Sequence, residues 1–227
     1  MLINRKKWIT LVICLVVMIG LPMGALKMSD ASETSQNLDE RVKAFLDSHS
    51  YTWRDMNVPE VDGQLLFDII IEKKYTKALE IGTSTGHSGI WIAWALSKTG
   101  GKLITVELDE RRYNQAVANF EEAGLSEYID ARLANAHELV PELNGPFDFV
   151  FIDADKDWYT NYAKAVIPKL EDGGCITAHN VYQSRGGRGR GGFGGGAYFE
   201  YMSSQTEFES SILSESRSGV AVSYKKK

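Results

Sequence analysis

The chain has 227 residues, 44% of them hydrophobic and 24% charged, which suits one globular domain with a sizeable core and leaves little room for two. A formal net charge of -5 argues against a nucleic-acid partner, because a phosphate-binding surface shows as a basic excess. Two cysteines, Cys14 and Cys175, exclude a disulfide framework and leave the redox compartment open.

Arg5, Lys6 and Lys7 precede an uncharged run over residues 8–26. That run is long enough to cross a bilayer and also fits the basic and apolar regions of a signal peptide. Residues 1–31 are therefore read as a membrane anchor or a cleaved signal, with neither preferred, and a membrane contact through 8–26 is expected. The leading basic residues point to an exported or membrane-anchored domain, although Lys27, Arg41 and Lys43 soften the asymmetry and a cytoplasmic catalytic domain stays open. Residues 32–227 read as a single domain. The small polar stretch 29–36 reads as a linker into a helix starting near Asn37, in which Leu38, Val42, Phe45 and Leu46 share a face. After a loop over 53–58, a second helix follows Pro59, with Leu65, Leu66, Ile69 and Ile70 apolar.

From there strands and helices alternate, the signature of a parallel sheet covered on both faces. Strands are predicted over 78–81, 102–107, 129–133, 147–152 and 175–178, and helices over 88–97, 110–123, 136–143 and 158–170. A Gly/Arg-rich stretch over 184–196 follows, then a short helix around 198–203. Two strand-like segments, 208–213 and 220–224, are expected to form an antiparallel hairpin at the sheet edge.

The first predicted strand runs into Glu80-Ile81-Gly82-Thr83-Ser84-Thr85-Gly86-His87-Ser88, a glycine-bearing turn that opens a helix. Ligands of open α/β sheets bind at such carboxyl ends, where glycine lets them approach the backbone. The spacing of Gly82 and Gly86 is not the G-x-G-x-x-G of dinucleotide folds, which weakens a nicotinamide or flavin reading. Glu107 closes the second strand, where a carboxylate accepts both ribose hydroxyls of an adenosyl group; a solvated strand-end charge is the bland alternative.

Together the E-x-G-x-x-x-G turn, Glu107 and the segment 147–157 resemble class I methyltransferases of the catechol and caffeoyl-CoA O-methyltransferase group. The resemblance runs from Met56 to the C-terminus. It implies a Rossmann-like α/β fold: a mostly parallel seven-stranded sheet with an antiparallel C-terminal edge and helices on both faces. It implies S-adenosylmethionine as cofactor, with Glu107 on the ribose and Gly82, Ser84 and Ser88 lining the methionine part. The segment Met56-Asn57-Val58 before Gly63-Gln64 resembles the catechol enzymes' own, which implies Val58 at the cofactor's amino-acid end and Met56 near the methyl group. Ala136 and His137 match positions beside the adenine, although a surface histidine at a helix start reads equally well.

The fourth strand delivers Asp153, Asp155, Lys156 and Asp157 at its carboxyl end, more charge than a solvated face requires. The fifth delivers His179 and Asn180. Asp153, His179 and Asn180 are expected to converge on one divalent ion, with Asp153 also bordering the cofactor. The resembling family carries Asp-Asn where this chain has His179-Asn180. Magnesium is thus the inherited ion, while the imidazole shifts preference toward softer ions such as zinc or manganese. The alternative is that His179 turns away.

The implied reaction is metal-assisted methyl transfer to a small phenolic substrate, a catechol or similar vicinal diphenol. A phenol, with a pKa of about 10, is mostly protonated at neutral pH, and chelation of two adjacent oxygens both acidifies and orients it. Lys156 matches the family's catalytic lysine and is the candidate general base, meeting the substrate together with Met56 and Asn180; a surface lysine paired with Asp155 or Asp157 is the plain alternative. A larger phenolic such as a caffeoyl ester, and a non-catalytic membrane-tethered binding module, are the rival readings. Glu200 and Glu215 are both conceivable as the acceptor-side acid. The Gly/Arg stretch reads first as a loop over the acceptor pocket, then as a connector, and last as a nucleic-acid contact, for which three arginines are few. Oligomeric state stays open, a homodimer included.

Overall fold

The computed structural model describes residues 23–53, 56–182 and 195–227, with side chains from residue 36 onward. The expected anchor or signal over 1–31 and the Gly/Arg-rich loop therefore fall largely outside the described residues. Among the described residues no helix is long and apolar enough to cross a membrane. The chain divides into two units, Met1–Thr34 and Ser35–Lys227. The sheet and the site belong to the second.

Seven strands form one sheet: β1 Lys77–Ile81, β2 Lys102–Glu107, β3 Ile129–Leu133, β4 Phe147–Ile152, β5 Leu170–His179, β6 Phe208–Ile212 and β7 Val220–Lys225. Their spatial order is β3-β2-β1-β4-β5-β7-β6. The first five are parallel, and β7 pairs antiparallel with both β5 and β6. The predicted hairpin is present, and its second strand is the inner one, so that β6 rather than β7 is the edge. Among the described residues the α-helices are α1 Met23–His49, α2 Glu60–Lys73, α3 His87–Thr99, α4 Glu110–Ala123, α5 Ala136–Glu142, α6 Tyr159–Val166 and α7 Gly195–Ser204. The polar stretch 29–36, expected as a linker, is helical within α1. It holds no proline or glycine, and Ala31, Glu33 and Gln36 all suit a helix, so nothing stops the propagation.

Central strands of a parallel sheet are buried on both faces, which is why β4 reads as one apolar run and is buried at every position. Val150 and Ile152 pack on one face with Tyr159, Tyr162 and Val166 of α6 and Tyr198 and Met202 of α7. Phe149 and Phe151 pack on the other with Leu66 and Ile70 of α2 and Ile92 and Leu96 of α3. A further cluster joins Val42 and Phe45 of α1 to Trp91 and Trp94 of α3 and Phe120 of α4. Gly63 permits the α2–α3 approach, since a Cβ there would run into the Trp91 indole. The sheet reverses its order of addition between β1 and β4, and the carboxyl ends of its parallel strands open at that switch point, where ligands of such sheets bind.

Candidate active site

A cavity of about 680 Å³ lies at the carboxyl ends of the parallel strands. Gly82 and Ser84 reach it from the turn after β1, Glu107 from the end of β2, Asp153 to Asp157 from the loop after β4, and His179 and Asn180 from the end of β5. Met56, Asn57 and Pro59 close it from the approach to α2, and Ser218 from the β6–β7 turn. A neighbouring cavity of about 280 Å³ is lined by Asn135, Ala136 and His137 at the start of α5 and by Tyr162. Gly82, Glu107, Ala154 and Asp155 border both.

Backbone strain gathers here. The described residues include five non-glycine positions with positive φ, and four of them, Met56 at 52°, Ser84 at 49°, Asp155 at 47° and Asn180 at 57°, line the larger cavity. Such conformations are costly for side-chain-bearing residues, and they cluster where function fixes them. Gly82, at φ 102°, lies so close to the loop after β4 that a Cβ would stand 2.8 Å from the Ala154 Cβ.

Glu107 is 9% exposed and faces the junction of the two cavities. Its Oε2 accepts from the Ser84 N–H at 2.8 Å, and its Oε1 accepts from Leu108 and Asp109 N–H groups at 3.0 and 2.9 Å. These bonds hold the carboxylate still, and Oε2, which accepts one bond, keeps acceptor capacity for a ligand hydroxyl. Beneath it, burial pushes the Glu80 carboxyl up to about 8; hydrogen bonds from Ser88 and Thr105 oppose this, while the Asp153 and Glu107 charges add to it. His137 stacks on Trp158 with ring centroids 3.7 Å apart, and its Nε2 meets Asp155 Oδ2 at 2.9 Å. That makes a flat aromatic wall beside Ala136.

Across the larger cavity stands a polar cluster. Asp153 Oδ1 accepts from Lys156 Nζ at 3.1 Å and from the Tyr159 hydroxyl at 3.2 Å. Asp153 Oδ2 lies 3.2 Å from His179 Nδ1, and His179 Nε2 lies 3.0 Å from Asp62 Oδ2. Burial alone would push the His179 imidazole down, but the hydrogen bonds and charges of Asp153 and Asp62 outweigh it and lift it to about 9. Burial would raise the Asp62 carboxyl, yet its bonds, led by the one to His179, hold it below its ordinary value. Asn180 Nδ2 points to the Ser218 carbonyl at 3.4 Å. No group of three or more His, Cys, Asp or Glu among the described residues is arranged to hold a metal; Asp153 and His179 supply two donors and Asn180 an amide.

Most of the predicted site residues thus meet at the two cavities: Met56, Gly82, Ser84, Glu107, Asp153, Lys156, His179 and Asn180 at the larger, and Ala136 and His137 at the smaller. Val58 and Ser88 do not line either. Val58 is buried beside a third cavity, where its carbonyl meets His87 Nδ1 at 2.8 Å, and Ser88 lies one residue into α3 against Glu80. Of the two conceivable acceptor-side acids, Glu200 is exposed on α7 and Glu215 is exposed in the turn between β6 and β7. Neither lines the cavity. Sequence reasoning misses Asp62 and Tyr159. The signal for Asp62 is its spacing: 62, 66, 69 and 70 form one helical face, and a carboxylate on that otherwise apolar stripe needs a buried partner.

Residues 28–185 match the family model described as O-methyltransferase. Among similar proteins, a catechol O-methyltransferase of Niastella koreensis is 42% identical over 107 residues, covering 45% of this chain and 48% of that protein. A caffeoyl-CoA O-methyltransferase of Stellaria longipes is 34% identical over 154 residues, covering 65% of this chain and 62% of that protein. The chain spans about half to three fifths of the length of these curated relatives. Among solved structures, an O-methyltransferase from Bacillus cereus in complex with SAH matches with a TM-score of 0.68 at 24% identity, over 84% of this chain and 91% of that one. The O-methyltransferase TomG from Streptomyces achromogenes, in complex with SAM, matches with a TM-score of 0.70 at 23% identity, over 88% and 96%. These structural likenesses carry the fold. A family match that runs from α1 through β5, and so takes in the turn after β1, Glu107, Asp153 and His179, means that the chain belongs to the O-methyltransferase family.

Proposed function

We propose that this chain transfers a methyl group from S-adenosylmethionine to a hydroxyl of a catechol or similar vicinal diphenol, with one divalent ion held beside Asp153, His179 and Asn180. The observation that carries the reading is Glu107, a fixed carboxylate at the junction of two cavities. A ribose bound there can direct its adenine toward Ala136 and the His137–Trp158 wall, and its sulfonium toward Asp153 and Lys156.

The donor set fits an ion. Asp153 Oδ2 and His179 Nδ1 are 3.2 Å apart, close to the roughly 3 Å between neighbouring donors on an ion with bonds of about 2.1 Å. An ion held by Asp153, His179 and Asn180 would supply Lewis-acid stabilisation of a phenolate. Lys156, anchored by Asp153 and Tyr159, is the base that takes the hydroxyl proton. The oxygen then bonds to the methyl carbon while the C–S pair leaves on sulfur, giving S-adenosylhomocysteine. The Tyr159 hydroxyl shares its one proton between Asp153 and the His179 carbonyl at 3.1 Å, which ties the base to the end of β5.

The test is methyl transfer from labelled S-adenosylmethionine to catechol by the full chain, stripped of metal and then resupplied with magnesium, manganese or zinc. Metal-dependent transfer is expected. Cofactor binding without transfer under any ion overturns the catechol reading. A caffeoyl ester would then be assayed, a second acceptor favoured by the likeness to the Stellaria protein.

A further inference from the structure

Asp62 has no counterpart among the predicted site residues, and it is 2% exposed in the first turn of α2. A carboxylate at a helix start has an ordinary explanation in the helix dipole. Its Oδ2 nevertheless goes across 117 residues of sequence to the imidazole at the end of β5, at 3.0 Å. His179 is itself only 5% exposed, and its other nitrogen faces Asp153. Asp62 is not in the wall of the larger cavity; it reaches that wall through His179 and through Ser218, with Ser216 as a further partner of its carboxylate.

We propose that Asp62 is a positioning residue of the metal site: it accepts a hydrogen bond from His179 Nε2–H, fixes the ring and its tautomer, and leaves Nδ1, 3.2 Å from Asp153 Oδ2, as the nitrogen that would face an ion. This rests on the metal reading above. The physical case has two parts. A ring nitrogen binds metal only when bare, and which nitrogen is bare depends on the bond the other one makes. Of the two nitrogens, Nε2 is the one committed to a carboxylate away from the cavity wall. The second part is charge. Where the resembling family carries Asp, this chain has a neutral ligand, and the buried Asp62 restores one negative charge directly behind it. The His179–Asp62 pair therefore carries the net charge of the single carboxylate it replaces, and the imidazole is made more basic toward an ion.

The experiment titrates the full chain with Mn2+ alone, following free ion by electron paramagnetic resonance and bound ion by 14N electron spin echo modulation. Wild type is expected to bind Mn2+ with an imidazole nitrogen in its shell. Asp62→Asn should weaken binding by about 10- to 100-fold, the range for loss of an outer-shell partner, with S-adenosylhomocysteine affinity unchanged. In a His179→Asp background, where no imidazole needs orienting, the same change should alter Mn2+ affinity by less than about threefold, well under that range. Unchanged Mn2+ affinity in Asp62→Asn, or an equal loss in both backgrounds, overturns the proposal. No Mn2+ binding by wild type overturns the metal reading itself, and the proposal with it. Independently of any variant, 15N spectra of wild type with Zn2+ should give His179 protonated at Nε2 and bare at Nδ1, and the opposite tautomer sinks the idea.

Discussion

His87 shares the site's neighbourhood but has a structural role that pH can expose. Its Nδ1 donates to the Val58 carbonyl at 2.8 Å, its Nε2 accepts from Trp91 Nε1 at 3.1 Å, and its ring stacks on Trp53. Burial pushes the imidazole down to about 4, with the Val58 bond opposing. The folded state therefore keeps His87 neutral while the unfolded chain takes up a proton below about 6.5. Its contribution is fully present above that value and is lost as pH falls toward 4, for a total of about 3 kcal/mol. His87→Gln, whose amide can both donate and accept, should lose much of this dependence. Urea unfolding at pH 7 and pH 4.5 checks it: the wild-type loss should exceed the variant's, and equal losses would assign the acid sensitivity to other groups. At this scale the strand-end residues Glu107, Asp153, Lys156 and His179 were legible because buried strands announce where they stop. Asp62 was harder to read, because an acid in the first turn of a helix is ordinary, and only its place on the apolar face with Leu66, Ile69 and Ile70 marks it as buried.

The turn between β1 and α3 combines three positive-φ residues, Gly82, Ser84 and Gly86, in five positions. Gly82 carries two separate constraints, a left-handed backbone and a wall: an added Cβ would sit 2.8 Å from Ala154 Cβ and 3.0 Å from the Ala154 nitrogen. Gly100, the C-cap of α3 at φ 78°, carries only the first, because an added Cβ there would meet nothing within 4 Å. Gly100→Ala should cost about 1 kcal/mol, the steric penalty of a left-handed alanine, and leave S-adenosylhomocysteine binding intact. Gly82→Ala should cost more, about 2–3 kcal/mol, and weaken that binding, because Ala154 must retreat into the ligand's space. Denaturant midpoints and calorimetric titration of the two variants separate the effects. If Gly82→Ala binds as wild type does, Ala154 does not border the ligand. Element boundaries were legible where an apolar run ended abruptly: β2, α4, β3 and β4 occupy the predicted spans. β5 starts earlier than the apolar core 175–178 suggests, at Leu170, because Gly173 and Gly174 extend the strand through a register shift against β4. Adjacent glycines in a sequence read as a loop, and only the pairings on either side of them, at Leu170 and Cys175, show that the strand runs through.

At the scale of the whole sheet, the site joins two halves that the chain builds separately. β1 and β2 contribute Gly82, Ser84 and Glu107, while β4 and β5 contribute Asp153, Lys156 and His179, and the border between the halves is the β1–β4 pairing at the switch point. The sequence could predict parallel strands but not their order, since pairing partners such as β5 and β7 follow from which faces pack best and leave no local mark. Beyond the ladder, the Thr76 and Lys77 N–H groups donate to the Asp148 carboxylate at the amino end of this border, and the Asp153 N–H donates to the Ile81 carbonyl at 2.9 Å at its carboxyl end. A ligand resting on Glu107 and reaching Asp153 would add to them, and so should stabilise both halves as one unit. At 100 times its dissociation constant, S-adenosylhomocysteine should add about 2.7 kcal/mol, raising the unfolding midpoint by roughly 5–10 °C. If the ribose rests on Glu107 as proposed, Glu107→Gln sets an N–H2 donor where an oxygen accepts, and should weaken the ligand by at least about tenfold. At the same ligand concentration the gain then falls to about 1.4 kcal/mol or less. Hydrogen exchange adds the spatial test: protection should rise at the ends of β1 and β2 and also at the ends of β4 and β5. Protection confined to the β1–β2 side would mean that the ligand stops short of Asp153 and Lys156, and the cavity wall that carries the polar cluster would then have to be reached by the acceptor alone.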